Sequence, residues 1–355
     1  MRAPRFRYHA ARSVQDAVSV LVIEERAMLI AGGTDLVPNM KRRHQTPEIV
    51  VDIHRIDKLR RVSHTDGLTV GACTTLTDIA ENRRIQRGYA ALAMAAGSVA
   101  TVHLRNMGTL GGNLCLDTRC NYYNQNYEWR QAINFCMKAP AATDGHACAT
   151  PDGSSICWVA TSSPRCWAVS STDTAPALIS LGAEVILAGL DGERRIPVEQ
   201  LYQNDGMNFL TRRRDEVVTG IHIAPHPTQG SPAVNTVRST YRKLRRRGSF
   251  DFPVLGVAAA LRFSNVGSGR GPLPAGSVVE TARVVLGAVA SHPVLVPETE
   301  LLVGKSLSDD VIHEFAEAVT RHARPMDNTD FELGWRKKVV KRYVADALTD
   351  LREGR

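Results

Sequence analysis

Two glycine pairs and a set of widely spaced cysteines are the residues whose types and spacing could do chemistry. Gly32 and Gly33 close an apolar run, AMLIAGGTDL. Consecutive glycines at a strand end let backbone N–H groups converge on an anion with no Cβ in the way, and a pyrophosphate suits such a cradle. Gly111 and Gly112, in RNMGTLGGNL, follow a small-residue stretch and offer a second turn of close approach. Either pair alone is equally ordinary tight-turn chemistry, so context must decide.

Cys120, Cys136, Cys148 and Cys157 lie 16, 12 and 9 residues apart in an irregular stretch from about Asp117 to Cys166. Four thiolates can close a tetrahedral zinc site or hold a cubane iron–sulfur cluster, and these spacings match neither a zinc ribbon nor the tight ferredoxin run. Spacing leaves both open. Cys115 and Cys166 flank the stretch as substitute ligands, and Cys73, after a strand, reads as a core thiol. Tyr122, Tyr123, Tyr127, Trp129, Phe135 and Trp158 equip the stretch to build a small core or to shield a cluster from water. Its formal charges cancel, with Arg119, Arg130, Lys138 and Arg165 against Asp117, Glu128, Asp144 and Asp152. Two phosphate-binding patterns fail: VGKSL has Thr299 where a P-loop needs glycine, and GSGRGP follows no strand-to-helix turn. His44, His54, His64 and His103 are scattered, and no nucleophile, base and acid stand together.

These residues need elements to hold them. At 355 residues, two or three subdomains are expected. With 43% hydrophobic and 23% charged residues, general disorder and fibres are excluded. The longest apolar run, near Val254 to Leu261, is far short of the roughly 20 residues a membrane span needs. The basic start lacks an apolar signal core, so a cytoplasmic, reducing location is expected. Ser13 and Asp16 cap a helix over about 14–26, followed by the strand AMLI and a strand at Ile49 to Ile53. A strand at Leu68 to Ala72, a helix near Leu76 to Ile85 and a small-residue helix at Ala90 to Val99 precede the cysteine stretch. After it come a helix at Ala175 to Gly182, a hairpin turning at Asp191–Gly192, a strand at Glu216 to Ile223 and a linker at His226 to Pro232. Three strands, near 236–244, 254–263 and 282–289, and helices at Asp309 to Arg321 and Phe331 to Leu351 complete an α+β layer. The net charge of +8 peaks in YRKLRRRG, where Arg245, Arg246 and Arg247 read as a solvated edge.

The segments LIAGGTDLVPNMK, VDIHRI, LTVGACTTLTDI, LRNMGTLGGNL and TDTAPALISLGAEV resemble the FAD subunits of the xanthine dehydrogenase and carbon monoxide dehydrogenase family, the molybdenum hydroxylases. The resemblance runs over nearly the whole chain. It implies an α+β fold. A two-subdomain FAD-binding domain of the vanillyl-alcohol oxidase (PCMH) type would span 1–225, with subdomains of about 1–58 and 59–225 and the cysteine insertion at about 117–166. A C-terminal CO-dehydrogenase-flavoprotein-like α+β domain would span 233–355. Carried over by position, it puts Ala31, Gly32, Gly33, Thr34 and Asp35 around the FAD pyrophosphate. Thr109, Leu110, Gly111, Gly112 and Asn113 would lie along the flavin and its phosphates, Asp173 near the polar chain and Lys243 near the isoalloxazine.

The wording GGNLCLDTRCNYYNQNYEWRQAINFCMK is similar to the 4-hydroxybenzoyl-CoA reductase branch of that family. This implies a [4Fe–4S] cluster on Cys120, Cys136, Cys148 and Cys157. It further implies an electron-transfer oxidoreductase subunit working with a large molybdopterin subunit and a small subunit of two [2Fe–2S] clusters, as a dimer of heterotrimers. Ferredoxin, steered by the basic charge, would be the electron donor for reductive dehydroxylation of the aromatic thioester on the large subunit. Neither nucleic acid nor membrane is an expected partner. Outward electron flow in a related hydroxylase and a structural zinc knot are the alternatives.

Overall fold

The computed structural model describes residues 2–139, 156–225, 237–264, 266 and 271–355. The Ser13 hydroxyl accepts from the Asp16 amide at 3.0 Å and starts a helix over Val14–Ile23. It stops three residues before the expected end because Glu24 is already extended. Val14, Ala17, Val18 and Leu21 bury one stripe of this helix against a parallel sheet of β1 (Arg7–Ala10), β2 (Ala27–Ile30) and β3 (Ile49–Asp52), with β3 in the centre. β1 was not anticipated. Its RYHA side chains are mostly exposed, so an edge strand here carries no apolar alternation.

A second sheet contains β4 (Val62–Ser63), β5 (Leu68–Gly71), β6 (Glu184–Gly189), β7 (Gly192–Pro197) and β8 (Val217–Ile223), in the order β4-β5-β8-β6-β7. Helices Leu76–Glu81, Arg83–Gly88, Ala90–Ser98 and Thr174–Ser180 share its core. The single helix expected near Leu76 to Ile85 is two, because the Asn82 side chain accepts from the Arg84 and Ile85 amides at 3.0 and 3.2 Å and caps a new start.

The C-terminal sheet is antiparallel, with β9 (Val237–Leu244), β10 (Leu255–Phe263), β11 (Val279–Gly287) and β12 (Val294–Leu295) ordered β12-β11-β10-β9. β12 adds a short fourth strand to the three expected. The long apolar run is β10, buried on both faces. Leu255, Val257, Ala259, Leu261 and Phe263 face the core of helices Asp309–Val319 and Leu333–Glu353, while Ala258 and Ala260 join the core beneath the second sheet. The same period of two sorts the basic strand β9. Arg242 makes a bidentate pair with Asp350 of the last helix, at 2.6 and 2.8 Å, whereas Tyr241 and Lys243 point the other way, to Asp173.

Arg119 and Val169 exchange both backbone hydrogen bonds, at 2.8 and 2.7 Å, so the cysteine insertion leaves and re-enters the scaffold at one place. The linker at His226 to Pro232 and Cys148 lie outside the described residues. Among the described residues no helix is long and apolar enough to cross a membrane.

Arg336, 2% exposed, donates to the carbonyls of Ala288 at 2.8 Å and Met326 at 2.9 Å, tying the last helix to the end of β11. Arg336→Met strands those acceptors and is expected to cost about 2–4 kcal/mol. Urea denaturation would register this as a lowered midpoint; an unchanged midpoint would show that water replaces the guanidinium.

Candidate functional site

A cavity of about 530 Å³ opens where the three units meet. Its wall includes Ala31, Gly32, Gly33, Thr34 and Asp35 from the loop after β2, and Thr109, Gly111, Gly112 and Asn113 from the second glycine turn. The two loops cross back to back. A Cβ on Gly32 would fall 1.7 Å from the Met107 carbonyl oxygen, so only glycine lets the strands of this crossing meet. Gly33 continues the turn with φ +70°, a left-handed conformation that glycine adopts without strain. The Thr109 hydroxyl accepts from the Gly112 amide at 3.2 Å and fixes the second turn.

Of the expected cofactor residues, Leu110 alone stands off the cavity wall; it is fully buried in the core. Asn113 lines the wall, but its amide oxygen is engaged by the Thr172 hydroxyl (2.9 Å), the Thr174 amide (3.0 Å) and the Thr174 hydroxyl (2.7 Å). It braces the segment that carries Asp173.

Asp173 and Lys243 also reach the cavity. Their side chains are 3% and 4% exposed and pair at 2.9 Å. Tyr241 donates to the other Asp173 oxygen at 2.7 Å, and Lys243 donates to the Ser98 carbonyl at 3.2 Å. Burial pulls the Lys243 ammonium down and Asp173 opposes that pull. Burial, then Asp173, pushes the Tyr241 hydroxyl well above its usual range, so it stays a donor. A buried pair of this kind costs several kcal/mol in desolvation, which full hydrogen bonding offsets.

Further wall residues escaped the sequence analysis. Arg214 donates to the Leu21 carbonyl at 2.8 Å, at the end of the first helix, and Arg212 stands nearby on the wall. The run TRRRDE carried a signal for them, a basic cluster beside a strand. Phe250, with φ +68° and 59% exposed, and Phe252 stand at the rim. Asp117 and Phe209 form the wall toward the insertion. Cys73 is the buried thiol expected, pushed up to about 12 by burial, yet it also borders the cavity.

The insertion gathers its cysteines. Cys120, Cys136 and Cys166 share one small core with Tyr123, Ala139 and Ala168, and the buried Cys157 hydrogen-bonds Cys166. That bond holds Cys157 below the ordinary thiol range and pushes Cys166 up, while burial raises Cys120 to about 11. Cys115 stands apart, in the core under the second sheet and on the cavity wall. Among the described residues no three of these groups close around one point as a finished metal site would, and Cys148, the fourth expected ligand, lies outside them. Thiols are the donor type of a soft metal centre, but the described ones do not close one. Of the six aromatics expected to build this core, Tyr123 and Phe135 are buried, Tyr122, Tyr127 and Trp158 are half-buried and Trp129 is exposed; His44 stacks on Tyr123 at 4.2 Å. Burial lowers His44 to about 4 and keeps it neutral, a structural histidine.

Residues 4–227 match the family described as the FAD binding domain in molybdopterin dehydrogenase, and residues 239–351 match the CO dehydrogenase flavoprotein C-terminal domain. The chain belongs to the FAD-binding subunits of the molybdenum hydroxylases. The aldehyde oxidoreductase FAD-binding subunit PaoB of Escherichia coli (strain K12) is 30% identical over 330 residues, 90% of this chain and 91% of that protein. The carbon monoxide dehydrogenase medium chain of Hydrogenophaga pseudoflava is 26% identical over 97% of both chains. A solved carbon monoxide dehydrogenase from Hydrogenophaga pseudoflava superposes with a TM-score of 0.73 at 24% identity, covering 99% of this chain and 98% of that one. The reconstituted enzyme from Oligotropha carboxidovorans gives 0.73 at 23% identity over 99% of each. This is the two-part α+β fold expected of a molybdenum hydroxylase flavin subunit, and FAD is the cofactor of its N-terminal domain.

Two outcomes follow for this subunit. Gly32→Ala is expected to lower bound FAD per chain by roughly tenfold or more with the far-UV circular dichroism unchanged, since a backbone collision must displace one loop. Lys243→Met leaves Asp173 buried without its cation and should cost about 3–5 kcal/mol of stability. Adding Asp173→Asn should recover most of that in thermal melts; a double variant as unstable as the single one would mean that the pair does not act as a unit.

Proposed function

We propose that this chain is the flavin-bearing electron-transfer subunit of a heteromeric molybdenum enzyme and that its cysteine insertion holds an iron–sulfur cluster. The observation that carries this is the gathering of Cys120, Cys136 and Cys166 in one small buried core beside the flavin cavity, with the buried Cys157 hydrogen-bonded to Cys166. When bound, FAD exchanges electrons one or two at a time and a cluster exchanges one. The protein's own residues hold and insulate. The glycine loop at 31–35 presents backbone N–H groups to the pyrophosphate. The turn at 109–113, whose amides from Leu110 to Asn113 are spent on Thr74, Ala72 and Thr109, lines the cofactor by close backbone approach. Lys243, oriented by Asp173 and the Ser98 carbonyl, offers a cation at the isoalloxazine. Cys120, Cys136, Cys148 and Cys157 are the ligands we assign to a [4Fe–4S] cluster, with Cys166 hydrogen-bonded beside them.

The finer reading follows the insertion's resemblance to the 4-hydroxybenzoyl-CoA reductase branch. A ferredoxin would be the donor, a small two-[2Fe–2S] subunit the acceptor, and a large molybdopterin subunit the place where the aromatic thioester is dehydroxylated. The domain division at about residue 230 belongs to the same reading. A second reading, outward electron flow, is favoured by the relatives, which include an aldehyde oxidoreductase subunit and a carbon monoxide dehydrogenase chain.

Iron, zinc and acid-labile sulfide measured on anaerobically purified protein test the cluster, with about four iron and four sulfide per FAD expected. Zinc without sulfide would sink it. A spectroscopic redox titration then separates the two directions: a cluster potential below that of the flavin supports inward flow, and one above it supports outward flow.

A further inference from the structure

The insertion touches the flavin cavity through two buried cations. The Arg119 side chain, 6% exposed, pairs with Asp35, donates to the Asn39 side chain at 3.2 Å and lies over the Phe252 ring at 4.5 Å. The Lys138 side chain, also 6% exposed, pairs with Asp117 at 2.6 Å and donates to the Gly206 carbonyl at 2.7 Å and to the Thr118 hydroxyl. Both carboxylates stand on the cavity wall and are linked, since the Asp117 amide donates to Asp35 at 3.3 Å. Among the described residues neither carboxylate has an ion pair with a residue outside the insertion and its neck. The wall that receives an anionic pyrophosphate thus carries two negative groups. Their compensating charges come from the inserted segment. A bare carboxylate here would repel the cofactor through a low-dielectric wall, where like charges interact strongly.

We propose that Arg119 and Lys138 are positioning residues for FAD: by neutralising Asp35 and Asp117 they make tight FAD binding depend on the docked insertion. The dependence is reciprocal, so bound FAD holds the insertion in place. The inference rests on FAD occupying this cavity.

The test is FAD titration of the full chain after the cofactor has been stripped. Arg119→Met and Lys138→Met should each weaken FAD binding by roughly tenfold, within the usual range of coupling between sites. The charge-balanced doubles, Arg119→Met with Asp35→Asn and Lys138→Met with Asp117→Asn, should recover most of it, and Arg119→Lys should stay near wild type. Amide hydrogen exchange over residues 117–138 should slow on adding FAD in the wild type and not in Arg119→Met. Single variants that bind FAD as tightly as wild type overturn the proposal. So do doubles that bind as weakly as the singles while melting normally, because the effect would then be packing rather than charge. Should Arg119→Met fail to fold, Arg119→Lys and the charge-balanced doubles decide. Gly32→Ala is the control for the premise. If it also binds normally, FAD does not lie in this cavity and the inference falls with that reading; if it loses FAD while Arg119→Met keeps it, the coupling alone is wrong.

Discussion

The carboxylate of Asp173 is the point on which the rest of the structure turns. It lies in a segment braced by Asn113 of the second glycine turn, and it accepts from Tyr241 and Lys243 of the C-terminal sheet. A charge that deep is tolerable only if every partner stays in place. The flavin loops, the helix ending at Ser98 and the C-terminal domain are therefore fixed relative to one another by a single demand for charge balance. The cavity inherits its shape from that demand, and so does the ammonium on its wall.

A similar logic governs the insertion. Counted along the chain, its charges cancel and look solvated. In the fold Arg119, Arg130 and Lys138 are all buried, each spent on a specific acceptor: Asp35, the Arg42 carbonyl and Asp117. The segment is held to the flavin domain by buried polar contacts, reinforced by the stack of His44 on Tyr123, rather than by a broad apolar face. Such contacts are demanding in geometry, and they seat the cysteine core in one defined place beside the flavin.

The glycine loops and the cysteines were legible because their chemistry is local: a missing Cβ or a thiol declares itself in one residue. β10 was legible as an apolar run, and its burial on both faces explains why that run lacks alternation. What stayed hidden depends on partners far off in sequence. In YRKLRRRG, Lys243 reaches the cavity wall where the resemblance put it, but pairing sends Arg242 to the last helix. Of the three arginines read as a solvated edge, Arg246 and Arg247 remain outside, whereas the half-buried Arg245 donates to the Ser98 carbonyl at 2.9 Å. β1 has no pattern of its own and exists because β3 offers it an edge. Arg119 and Asp117 could not be separated from loop charges until the chain had closed around them.

The pairing of Arg119 with Val169 at the neck of the insertion has an evolutionary consequence. Fifty positions separate these residues in sequence, yet their backbones are neighbours. The entropic cost of such an excursion grows only with the logarithm of its length, roughly 0.6 kcal/mol per doubling. A scaffold whose chain ends already meet there can acquire, lengthen or discard an inserted segment as an exchangeable cassette. The sheet registers on either side need not shift by a single residue when it does.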